Sequence, residues 1–92
     1  MPASSDTTSA VAVRLPDGVN LHARPAGDFV RTAMQFSSSI WISFGEREVD
    51  AKSLLSILAL GAKGGSELRL RAEGGDAADA LDALAAKVAA LV

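Results

Sequence analysis

Ile40-Trp41-Ile42-Ser43-Phe44-Gly45-Glu46-Arg47-Glu48-Val49 is the stretch that decides the fold. β-Branched and aromatic residues stand on both sides of Gly45-Glu46, the pattern of two short strands joined by a tight turn. Ile40 and Ile42 alternate with Trp41 and Ser43, so the hairpin has one apolar face and one mixed face. Trp41 belongs to the mixed face, and no function is assigned to it.

An antiparallel hairpin of this kind needs cover on one side only. The cover is written on both flanks. Upstream, Ala26, Phe29, Val30, Ala33 and Met34 fall at i, i+3, i+4, i+7 and i+8, one stripe of an amphipathic helix with Pro25 in its first turn. Ser37-Ser38-Ser39 reads as the polar turn from that helix into the hairpin, and no second histidine or activating lysine pocket accompanies it to make a nucleophile. Downstream, Ser53 precedes Leu54, Leu55, Ile57, Leu58 and Leu60, with Gly61 beyond, giving a cap, an apolar body and a glycine stop to a two-turn helix.

Further out, Val11, Val13 and Leu15 alternate with Ala12 and Arg14 ahead of Pro16-Asp17-Gly18, a strand followed by a loop. Gly64-Gly65 reads as loop chemistry rather than a phosphate cradle and opens onto Glu67-Leu68-Arg69-Leu70-Arg71, a final strand with both leucines on one face. Gly74-Gly75-Asp76 then leads into Ala77, Leu81, Leu84, Val88 and Leu91 at helical spacing, with Asp76 placed to cap the first free amides. The order is β, α, β-hairpin, α, β, α. It predicts an α+β open-faced β-sandwich, a four-stranded antiparallel sheet covered on one face by three helices. Residues 1–10 carry no large apolar side chain except Met1 and are expected to form a disordered tail, leaving one domain over 11–92.

The 92 residues leave no room for a second domain, and a domain of this size buries only roughly 60 to 65% of its surface. A deep cleft is therefore hard to build, and chemistry should sit on the surface. With no cysteine and a single histidine, thiolate chemistry is excluded, and neither a metal nor a cofactor is expected. A net charge of −2 argues against nucleic acid and against anionic membranes. No apolar run is long enough to span a bilayer, and MPASSDTTSA lacks the features of a secretory signal, so the cytoplasm is the expected compartment.

The one histidine stands at the entrance to the first helix, in Leu21-His22-Ala23-Arg24-Pro25-Ala26. There the backbone amides lack partners and the helix dipole is positive, which suits a phosphoryl group. The positive end and Arg24 both disfavour the imidazolium, which leaves neutral imidazole to attack phosphorus. Once phosphate is present, the free amides and Arg24 can donate charge-assisted hydrogen bonds to it. Pro25 is expected to bias Arg24 away from helical ψ and to remove a competing amide. Position alone leaves open a plainer reading in which His22 only caps the helix.

The hexapeptide, followed by Asp28-Phe29-Val30, resembles the active-site signature of the HPr family of phosphocarriers. Lys52-Ser53-Leu54-Leu55, Leu60-Gly61, Gly64-Gly65 and the closing amphipathic helix also resemble that family in order and spacing, over about residues 11 to 92. The resemblance implies a βαββαβα fold, in which His22 is phosphorylated on Nδ1 by enzyme I, itself charged by phosphoenolpyruvate, and discharged onto an enzyme IIA component in sugar uptake. It implies that Arg24 and the backbone amides of Ala23 and Arg24 hold the phosphate, and that the protein is a monomeric carrier rather than an enzyme. In one place the chain departs from the pattern: many family members carry glycine immediately before the Leu-His pair, where this chain has Asn20, a residue that tolerates left-handed φ.

The second helix is apolar almost all round, more than a core-facing stripe requires, which nominates Leu54, Leu55 and Leu58 as partner contacts, with simple over-packing as the alternative. Ser53 is most economically an N-cap. In relatives with a regulatory site the matching serine is phosphorylated by an HPr kinase/phosphorylase, and added charge there would hinder enzyme I. Two rival functions follow: a regulatory HPr-like module switched at Ser53, and a carrier serving a nitrogen-related or dihydroxyacetone kinase phosphorelay. A small hydrolase or transferase would need an acid-base pair that the sequence does not supply.

Overall fold

The computed structural model describes residues 8–21 and 23–90. It contains β1 (Thr8–Arg14), α1 (Ala23–Ala33), β2 (Ser39–Phe44), β3 (Arg47–Asp50), α2 (Leu54–Leu60), β4 (Glu67–Glu73) and α3 (Ala77–Ala89). The strands form one antiparallel sheet in the order β1-β4-β2-β3. The expected open-faced architecture is observed.

Register follows from alternation. Leu70 of the central strand β4 stands between Val11 of β1 and Ile42 of β2, and Ile42 in turn faces Val49 of β3. Leu68, Leu70, Ile40 and Ile42 are buried beneath the helices, each contributing about 1.5–3 kcal/mol of apolar transfer. Trp41 lies on the opposite face, where the Arg71 guanidinium sits 3.9 Å from its ring centroid and pairs with Glu48 and Glu73. The two-residue loop Gly45-Glu46 closes the hairpin with Gly45 at φ 63°, a conformation that side-chain-bearing residues rarely adopt.

The helical layer is built as the stripes foretell. Ala26, Phe29 and Ala33 of α1 are buried, as are Ala77, Leu81, Leu84 and Val88 of α3. α3 packs on β1, β4 and α1, while α2 packs on β3 and α1. Ser53 and Gly61 flank α2 as its cap and its stop.

Four expectations need correction. β1 starts at Thr8, so residues 8–10 are not tail: they pair with Arg71–Glu73, because ladder hydrogen bonds come from the backbone and need no large side chain. The remainder of the expected tail, residues 1–7, lies outside the described residues, as does Leu91. Met34 falls beyond the end of α1 and is exposed. Arg24 is helical despite preceding Pro25, because in the first turn no i→i−4 bond is lost to the ring and the steric bias is overcome.

The fourth concerns Asp76. It occupies the cap position of α3, but its side chain makes no cap bond there. The carboxylate instead reaches the turn between α1 and β2, accepting from the Ser37 amide at 2.9 Å, the Ser38 amide at 3.0 Å and, closely, the Ser38 hydroxyl. Two amides and a buried serine have no strand or helix partner at that turn, and an ionised acceptor satisfies all three. The Ser38 hydroxyl first, then the Ser37 amide, lower the Asp76 carboxyl from 3.8 to about 2. A group more acidic folded than unfolded stabilises the fold fully above its unfolded value, and loses that contribution as pH falls through its folded one. Urea unfolding followed from pH 5 down to about pH 1.5 should therefore show stability falling mostly between about pH 4 and pH 2. Asp76→Asn should be less stable at pH 5 and flatter over that window; an equally steep acid limb in the variant would assign the effect to another carboxylate.

Candidate functional site

The first turn of α1 carries no acidic side chain, and Ala23 and Arg24 are both exposed there. Among the described residues no carboxylate pairs with Arg24. Among the described residues, the one ion pair on this helix lies further along, where Arg31 meets Asp28 at 2.5 Å. Leading amides of an α-helix have no intrahelical acceptor, so this end presents amides without helix partners, a positive dipole end and an exposed cation together. That combination suits an anion with several oxygens. His22 itself lies outside the described residues, between Leu21 and Ala23.

What leads into that turn is held firmly. Two segments, 15–21 and 61–66, run alongside each other. The Leu15 amide donates to Ser66 O at 3.0 Å, the Gly65 amide to Leu15 O at 2.9 Å, and the Leu21 amide to Ala62 O at 3.0 Å. The Gly64 amide donates to Oδ1 of Asn20 at 3.0 Å. Leu21 is buried in the core. Asn20 does not adopt positive φ, so the expectation that it replaces glycine by tolerating left-handed backbone is not met. Its side chain makes an inter-loop bond instead. Sequence reasoning missed that role, since its partner lies 44 residues away.

α2 runs antiparallel to α1. Its C-terminal end meets Leu21 through Ala62, and its N-terminal end is tied to the chain beyond α1 by Lys52, whose Nζ donates to Phe36 O at 2.7 Å. Ser53 therefore caps the end of α2 remote from Leu21, about 10 Å along the axis. Its hydroxyl accepts from the Ser56 amide at 3.3 Å. Ser53→Ala should cost about 1 kcal/mol in urea unfolding, and Ser53→Asp, which keeps an acceptor oxygen at the cap, should cost less. Equal losses in both would mean that the cap bond contributes little. Leu54 and Leu55 are exposed, Leu55 to 79%, whereas Leu58 is half-buried against the core. Of the three nominated contacts, two are thus free at the surface and the third is largely committed to packing.

Among the described residues no group of three His, Cys, Asp or Glu side chains could hold a metal, and no helix is long and apolar enough to cross a membrane.

Compared with known protein families, residues 8–90 match the one described as PTS HPr component phosphorylation site. The chain belongs to the HPr family. Its members include the phosphocarrier protein HPr of Mycoplasma capricolum, 39% identical over 70 residues that span 76% of this chain and 79% of that protein. The HPr-like protein Crh of Bacillus subtilis is 41% identical over 78 residues, 85% of this chain and 89% of Crh. Among solved structures, HPr of Thermoanaerobacter tengcongensis superposes with a TM-score of 0.84 at 40% identity, covering 88% of this chain and 91% of that one. A crystal structure of Crh, a domain-swapped dimer, gives 0.72 at 39% identity and covers 89% and 92%. The family is one of phosphocarriers of the phosphotransferase system, and this chain is an HPr phosphocarrier.

Proposed function

We propose that His22 accepts a phosphoryl group from phospho-enzyme I, charged by phosphoenolpyruvate, and delivers it to an enzyme IIA component in sugar uptake. The observation that supports this reading is the first turn of α1, where Arg24 is exposed and, among the described residues, no acidic side chain pairs with it. In the transfer, a lone pair on Nδ1 of His22 attacks phosphorus, and the new P–N bond forms as the donor's own phosphorus bond breaks. The Ala23 and Arg24 amides and the Arg24 guanidinium then donate to the phosphate oxygens. Delivery reverses these events on the acceptor, so the protein turns over no metabolite and acts as a stoichiometric carrier, working in the cytoplasm as a monomer.

Incubation with phosphoenolpyruvate and catalytic enzyme I, followed by intact-mass measurement, tests this reading. One phosphate that is lost in acid is expected. No gain with an enzyme I competent on another HPr would overturn the choice of donor and point to a paralogous relay, such as a nitrogen-related or dihydroxyacetone kinase branch.

A second reading has the 41% identity to Crh in its favour: a regulatory HPr-like module switched at Ser53 by an HPr kinase/phosphorylase. Phosphate on Ser53 would place charge beside exposed Leu54 and Leu55 and so discourage apolar docking of enzyme I. Phosphate that survives acid and appears only with ATP and the kinase would support it.

A further inference from the structure

We infer that Asn20 is a positioning residue for phosphoryl transfer, a role that rests on His22 being the acceptor. Two consecutive residues, Asn20 and Leu21, are bonded to the 62–64 segment in opposite senses. Leu21 donates its backbone amide to Ala62 O, and Asn20 accepts from the Gly64 amide through its side chain, both at 3.0 Å. One bond alone would leave the segment free to pivot about it; the pair removes that freedom one residue before the acceptor. Downstream, Ala23 is already helical. The backbone that flanks position 22 is thereby held on both sides, by these two bonds and by the helix that begins at Ala23. Holding the backbone on both sides of a reacting group favours transfer chiefly through orientation.

The contact also explains why the side chain matters more than the backbone at this position. Asn20 has no positive φ for a glycine to relieve. The backbone of Gly64 lies so close to Pro16, Gly18 and Val19 that its amide is brought within reach of an acceptor on the 16–21 loop. Asn20 provides that acceptor.

Asn20→Ala removes the acceptor, and Asn20→Asp keeps one. In the unphosphorylated protein, Asn20→Ala is expected to raise amide hydrogen exchange at Gly64 about threefold to tenfold, the weight of one hydrogen bond, and to add exchange broadening to the His22 ring resonances. Asn20→Asp should restore both. With enzyme I, Asn20→Ala should lower kcat by a similar about threefold to tenfold at unchanged KM, since docking is left alone. Unchanged Gly64 exchange would overturn the clamp. Faster Gly64 exchange with unaltered ring resonances and unaltered kcat would reduce it to a structural contact and overturn the positioning role. A wild-type protein that takes no phosphate would instead remove His22 as acceptor, while the exchange and ring measurements still decide the clamp.

Discussion

His22→Ala should carry no acid-labile phosphate under conditions in which the wild type gains one, and should unfold at close to the wild-type temperature. The loss is expected to be complete because the chain contains one histidine, so no second imidazole can take the phosphoryl group. The fold should persist because the anchors on either side do not involve the imidazole. Leu21 is held by burial and by Ala62, and α1 is held by Ala26, Phe29 and Ala33 in the core. Intact mass and a thermal melt on the same sample give both readings. Residual acid-labile phosphate on the variant would move the acceptor elsewhere.

Gly64→Ala is expected to cost much stability for a single added carbon. A Cβ at position 64 would stand 2.6 Å from the Gly18 amide nitrogen, 2.9 Å from Pro16 O and 2.9 Å from the Val19 amide nitrogen. All three are backbone atoms, so no side chain can swing aside; the 16–21 loop itself must move. Overpacking of this kind costs about 1–3 kcal/mol, or roughly 4–8 °C of melting temperature for each kcal/mol in a domain this size. Gly64 does not adopt positive φ, so the penalty comes from space alone. The displaced loop is the one that ends at Leu21, and phosphorylation should slow as well. Urea unfolding should show a lower midpoint at unchanged slope; a midpoint within about 0.5 kcal/mol of wild type would mean that the loops separate at almost no cost.

Most of the fold was legible because its signals are local. Ile40 and Ile42 against Trp41 and Ser43, or Ala77, Leu81, Leu84 and Val88 in sequence, declare period and face within a few residues, and the buried residues obey them. The reading failed where the deciding partner is distant. Asp76 looks like a cap until the turn 38 residues earlier competes for its carboxylate, and Asn20 looks like a substitute glycine until Gly64 arrives beside it. The start of β1 was hidden for a different reason: Thr8, Ser9 and Ala10 carry no apolar signal, and their pairing with β4 is purely a matter of backbone. At the site, the motif around His22 and Arg24 was plain, but the brace behind it could not be read from neighbouring residues.

The strand order has a consequence for how the chain is made. β4 lies between β1 and β2, so among the described residues the first strand pairs in the sheet only with one that ends at Glu73. As the polypeptide leaves the ribosome, the β2–β3 hairpin can close at once, whereas residues 8–14 must wait for nearly the whole sequence before their amides find acceptors. The sheet can therefore be completed only after residues 67–73 have been made: the segment that emerges first is among the last to be placed, and a chain stalled before residue 67 lacks the strand that joins β1 to the hairpin.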